Sequence, residues 1–135
     1  MKIFVVEDQP IERKLVVTVL SAAGHDVGRA AAAEEALTAI KESQPDVILL
    51  DLSLPGEDGI SLARKLKADP LTRAIPIVAV TSYPEDFAYA EAISAGCDAY
   101  LPKPLSTRTL PVMLAELVAK TGKEPIDEAP DRSDR

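Results

Sequence analysis

The amino-acid sequence predicts an α/β protein built on a doubly wound, five-stranded parallel sheet. Three observations carry that expectation. Short apolar runs alternate with helix-length amphipathic segments five times, as β-α units do when their helices cover both faces of a parallel sheet. The strongest run, Asp46-Val47-Ile48-Leu49-Leu50, is continuous in apolar residues, as a strand buried on both faces must be. The chain has 135 residues, 47% of them hydrophobic and only 4% aromatic, enough for one domain with an aliphatic core.

Each element has its own justification. Lys2 to Val6 is aliphatic and β-branched and reads as a buried first strand. Gln9 to Ala23 follows as a helix with Ile11, Leu15, Val19 and Leu20 as its apolar face, stopped by Gly24. Asp26 to Ala30 is a short, weak strand suited to a sheet edge. Ala33 to Ser43 carries Ala36, Leu37 and Ile40 at helical spacing, and Asp46 to Leu50 is the third strand. Gly59 to Ala68 is a third helix with Ile60, Ala63 and Leu66 as its stripe. Pro76 to Val80 is the fourth strand and Glu85 to Ala95 the fourth helix, stopped by Gly96. Ala99 to Leu101 is a short fifth strand, and Thr107 to Thr121 the last helix, stopped by Gly122. Pro111 conflicts with a helix capped at Ser106, because a mid-helix proline removes a backbone bond and clashes with the turn before it. Either the helix bends or Thr109 is the true cap, and the later start is preferred.

Residues 1–121 thus form one domain, and 122–135 are expected to be an acidic, disordered tail poor in apolar residues. Lys and Arg total 15 against 22 Asp and Glu, a net charge of −7. That balance argues against DNA binding, which needs clustered cations to neutralise phosphate. The single Cys97 excludes an internal disulfide or a multi-cysteine zinc site. No apolar run approaches a membrane span, and Met1 to Val6 turns acidic at Glu7-Asp8, too early for a secretory signal. A cytoplasmic protein is expected.

In a doubly wound sheet, ligands gather at the carboxyl ends of the strands. Glu7 and Asp8 end the first strand, Asp51 the third and Thr81 the fourth, while Lys103 follows the fifth. Three carboxylates brought together repel one another unless a cation joins them. Oxygen donors without His or Cys favour a hard ion such as Mg2+. A metal there could screen an anionic phosphoryl group approaching an anionic nucleophile.

These residues resemble the receiver domain of bacterial two-component response regulators. The matching stretches are Val5-Val6-Glu7-Asp8, Leu49-Leu50-Asp51-Leu52-Ser53-Leu54-Pro55-Gly56-Glu57-Asp58-Gly59 and Val80-Thr81-Ser82. They continue with Ala95-Gly96-Cys97-Asp98-Ala99-Tyr100-Leu101-Pro102-Lys103-Pro104. The separations also fit, at 43 residues from Asp8 to Asp51, 30 to Thr81 and 22 to Lys103. The resemblance implies a flavodoxin-like (βα)5 fold with strand order 2-1-3-4-5. It implies that Asp51 takes a phosphoryl group from a sensor histidine kinase or a histidine phosphotransfer protein, forming an acyl phosphate. Asp8 and Asp51 would hold Mg2+ through side chains, Ser53 through its backbone carbonyl and Glu7 through water. Lys103 and the Thr81 hydroxyl would contact phosphoryl oxygens, and a cis bond before Pro104 would aim Lys103 at the site. Tyr100 matches the family's switch aromatic, with the fourth helix, fifth strand and fifth helix as a readout face and possible homodimer surface. Such a protein is a signalling switch rather than an enzyme in the ordinary sense, and its downstream effector is not legible.

Plainer roles exist for most of these residues. Glu7-Asp8 could cap a helix, and Tyr100 could be an ordinary half-buried sheet residue. Phe87 and Tyr89 flank the Ala88, Ala92 and Ala95 stripe of the fourth helix and suit a partner contact or partial burial equally. His25 reads as a solvated loop residue and Cys97 as a small buried side chain. Ser53 and Tyr83 flank the phosphoryl site, so the phosphate lifetime stays open. A haloacid dehalogenase-type phosphatase would need a second acid at position 53, where Ser stands. A flavodoxin-like FMN carrier would need a polar phosphate loop where Glu7-Asp8 stand. A degenerate, phosphate-independent receiver-like binding module is the remaining alternative.

Overall fold

The computed structural model describes residues 1–52, 59–81, 86–103 and 105–120, the side chains of 86–89 excepted. Five strands alternate with five helices: β1 (Lys2–Val6), α1 (Pro10–Ala22), β2 (Asp26–Ala30), α2 (Ala33–Ser43), β3 (Val47–Asp51), α3 (Gly59–Ala68), β4 (Ile77–Thr81), α4 (Asp86–Ser94), β5 (Ala99–Pro102) and α5 (Leu110–Lys120). The strands form one parallel sheet in the order β2-β1-β3-β4-β5. Every expected element is present, with ends shifted by three residues at most.

The period of two along a strand sorts the core into two layers. Phe4, Val6, Ile48, Leu50, Ile77 and Ala79 join Ala36, Ile40, Leu62, Leu66 and Ala92 on the face covered by α2, α3 and α4. Ile3, Val5, Val47, Leu49, Val78 and Val80 join Val16, Val17, Leu20, Leu110, Leu114 and Val118 on the face covered by α1 and α5. Because β3 and β4 are buried on both faces, all ten of their residues are buried. The edge strand β2 is buried only at Ala30.

Two details of helix reading change. The apolar face of α1 is Val16, Val17 and Leu20, whereas Ile11 and Leu15 are 84% and 52% exposed. The helix carries apolar residues on two adjoining stripes, and only its packing angle on the sheet selects between them. In α3, Leu62 is fully buried beside the expected Ala63 and Leu66, while Ile60 is half-buried. The last helix starts late. The helix runs from Leu110, and Thr109 O accepts from Met113 N at 3.0 Å, one turn after Ser106 O accepts from Leu110 N, so Pro111 falls in the first turn, where its missing N–H costs nothing.

Gly96, at φ +101°, closes α4 in the left-handed conformation. Just beyond it, Asp98 Oδ2 accepts from Ile77 N at 2.8 Å and from Lys67 Nζ at 3.2 Å, joining the starts of β4 and β5 to the end of α3. Cys97 is buried, and burial followed by the Asp98 charge pushes its thiol up to about 11. His25 differs from expectation: it is half-buried, with Nδ1 3.2 Å from the Met1 amino group. The tail from residue 121, Ser53, Tyr83, Pro104 and the side chains of Phe87 and Tyr89 lie outside the described residues.

Candidate functional site

From β1 the chain crosses to β2 on one side of the sheet, and the later strands lie on the other. The reversal leaves a crevice beyond the carboxyl ends of β1 and β3, the place where such sheets bind ligands. Register sets what stands there. Glu7 extends β1 by one bond, its N–H donating to Ala30 O at 3.1 Å. Asp51 is the last residue of β3, opposite Val80, and Leu52 N continues the ladder by donating to Val80 O at 2.9 Å. Thr81 ends β4 opposite Pro102, and its carbonyl accepts from Lys103 N at 2.8 Å.

One carboxylate oxygen from each of Glu7, Asp8 and Asp51 lies within 4.8 Å of the other two. Glu7 and Asp51 are buried and Asp8 is half-buried. Lys103 Nζ donates to Glu7 Oε1 at 2.9 Å and approaches Asp51 Oδ2 at 3.4 Å. The shortest of its contacts is to a residue that sequence reading passed over, Glu12 Oε1 at 2.7 Å. Nothing in the spacing singled Glu12 out, because an acid in the first turn of a helix is ordinary. Arg13 was also missed; its guanidinium donates to Glu7 O at 3.0 Å and ties the strand end to α1.

The electrostatics follow from burial. Desolvation pushes the Glu7 carboxyl up to about 7, against the lowering contact with Lys103 and with help from the neighbouring Asp51. Burial alone would lower Lys103, but its hydrogen bonds to Glu12 and Glu7 and the Asp51 charge outweigh that and raise it. Three carboxylates thus share one end of the sheet with the Lys103 ammonium. The donors of this cluster are all oxygens and two of the three carboxylates are out of water, a set that suits a small hard divalent cation.

A close approach behind Asp51 shapes the site further. A Cβ on Gly59 would sit 2.5 Å from Asp51 O and 2.7 Å from Leu52 Cα, so only glycine lets α3 begin against the strand end. Thr81 is buried at 3% exposure. Tyr100 is half-buried against the α2–α3–α4 core, its hydroxyl oxygen shielded from solvent. Of the expected site residues, Glu7, Asp8, Asp51 and Lys103 are brought together, with Thr81 at the adjoining strand end. Ser53 and Pro104 fall outside the described residues. Among the described residues, no helix is long and apolar enough to cross a membrane.

Comparison with known proteins bears on the same residues. A family model described as the response regulator receiver domain matches residues 3–115. The phosphate regulon transcriptional regulatory protein PhoB of Pseudomonas aeruginosa is 38% identical over 120 residues, 89% of this chain and 52% of its own length. The chain thus spans about half the length of the larger regulators it matches. The polar-differentiation response regulator DivK of Brucella ovis is 35% identical over 104 residues, 77% of this chain and 85% of its own. Among solved structures, the receiver domain of the sensor histidine kinase PA1611 of Pseudomonas aeruginosa superposes with a TM-score of 0.81 at 29% identity. That alignment covers 87% of this chain and 97% of the other, which has magnesium coordinated in its active-site cleft.

Proposed function

The chain belongs to the response regulator receiver domain family, and from that premise we propose that it is a switch driven by phosphorylation of Asp51. The observation that supports this reading is the convergence of Glu7, Asp8 and Asp51 with Lys103 at one end of the sheet. An Asp51 carboxylate oxygen attacks the phosphorus of a phosphohistidine on a sensor kinase or phosphotransfer protein. The P–N bond breaks, the imidazole leaves, and Asp51 carries an acyl phosphate. Lys103 neutralises one equatorial oxygen and the Thr81 hydroxyl donates to another, so the chain contributes positioning and charge. Asp8 and Asp51 would hold Mg2+ through their side chains, Glu7 would do so through water, and Ser53, outside the described residues, would add its carbonyl. When bound, such an ion would lessen the repulsion between the two anions. Glu7 and Asp51 are buried within reach of Asp8 and of the Lys103 ammonium, a set that fits that role.

The output of this domain itself is a change in protein binding, since the chain's net charge of −7 suits it poorly to direct contact with DNA. Phosphorylation shifts an existing equilibrium between two arrangements of Thr81 and Tyr100, read at α4, β5 and α5. There the exposed Val112 and Met113 of α5 suit a partner or a second copy. We place residues 1–121 as the switch, working in the cytoplasm, where kinases keep their phosphohistidines.

Intact mass after incubation with acetyl phosphate tests the reading. A gain of one phosphoryl group that needs Mg2+ and is absent in Asp51→Asn is expected. If neither acetyl phosphate nor beryllofluoride modifies or binds the wild type, the chain is instead a phosphate-independent binding module.

A further inference from the structure

The Lys103 ammonium has three N–H donors and three carboxylates facing it: Glu12 at 2.7 Å, Glu7 at 2.9 Å and Asp51 at 3.4 Å. A phosphoryl oxygen can gain one of those donors only if a carboxylate gives it up. Two of the three are poorly placed to leave. The side chains of Glu7 and Asp51 are 8% and 4% exposed, and Glu7 is also held by Gln9 N, which donates to its Oε2 at 3.1 Å. Asp51 is the attachment point itself. Glu12, by contrast, is 50% exposed, so its carboxylate can return to water at little cost. It stands in the first turn of α1, just after Pro10 at the helix start, on the rim of a cleft of about 400 Å³ that Lys103, Leu15 and Leu105 also line.

Building on the reading of Asp51 as phosphoacceptor, we propose that Glu12 is a positioning residue, a displaceable counter-ion that holds Lys103 in the resting protein and competes with the phosphoryl group for it. In the resting state Glu12 orders the long lysine side chain beside the site. When the phosphoryl group arrives, Lys103 turns its donor to a phosphoryl oxygen and Glu12 is released to solvent. The tie between the first turn of α1 and the segment after β5 is then broken. A merely structural Glu12, stabilising α1 through the helix dipole, would not couple to the ligand in this way.

The test is equilibrium binding of beryllofluoride with Mg2+, followed by 19F NMR, for wild type, Glu12→Gln and Glu12→Asp. Removing the competing charge is expected to tighten binding in Glu12→Gln by about fivefold, the upper range for a half-exposed pair. Glu12→Asp, one methylene shorter, should fall between. The gap should narrow as salt rises, because the ion pair is screened. Equal affinity in wild type and Glu12→Gln, or weaker binding in Glu12→Gln, overturns the proposal while leaving Asp51 as phosphoacceptor. No binding in the wild type overturns that reading as well, and this proposal with it.

Discussion

Glu7 shows how one buried side chain makes the fold sensitive to pH. Its carboxyl binds a proton more tightly in the folded chain, at about 7, than its ordinary value of 4.5, mainly because it is buried. Stability from that group is therefore fully present below 4.5 and is lost as pH rises through about 7, where the folded state must carry a buried charge. In metal-free protein the urea midpoint should fall across that window, and Glu7→Gln should flatten the fall. Parallel curves for the two proteins would refute the assignment. At this scale the sequence was an uneven guide. Glu7, Asp8, Asp51 and Lys103 were legible because ends of strands are where a parallel sheet exposes chemistry. Glu12 was not, because its role depends on a lysine 91 positions away that no local pattern connects to it.

Among the elements, the first residue of α3 lies hard against the end of β3. The space for a Cβ on Gly59 is filled by backbone at 2.5 and 2.7 Å, which cannot swing aside as a side chain can. Gly59→Ala should cost about 1–3 kcal/mol, read from urea denaturation. It should also slow phosphoryl uptake, because the displaced atoms belong to Asp51 and Leu52. A variant as stable and as active as wild type would show that α3 shifts freely. The helices also show where periodicity is enough. Ala36, Leu37 and Ile40 mark the inner face of α2 because no rival apolar stripe competes. In α1, Ile11, Leu15 and Val19 form a second stripe beside Val16 and Leu20. Only contact with the sheet reveals that the first two face solvent. Pro111 was the more informative residue, since its fixed geometry placed the start of α5 within a turn.

For the molecule as a whole, the cost of gathering carboxylates at one sheet edge should appear as stabilisation by the ion that relieves it. A ligand that binds only the folded state adds RT ln(1 + [L]/Kd), about 1.4 kcal/mol at ten times Kd. Mg2+ at that level should raise the thermal midpoint of wild type, and Asp8→Asn should lose most of the rise. Equal shifts in both proteins would place the ion elsewhere.

The order of elements, the two-faced burial of β3 and the convergence of Glu7, Asp8 and Asp51 at one sheet end were determined by the sequence alone. Each depends on local periodicity or on where an apolar run stops. The tertiary structure decided which stripe of α1 is buried, that α3 needs Gly59 to approach β3, and that Glu12 reaches Lys103. Those outcomes depend on distances between segments far apart in the chain, and such distances exist only once the sheet has set the helices at their angles.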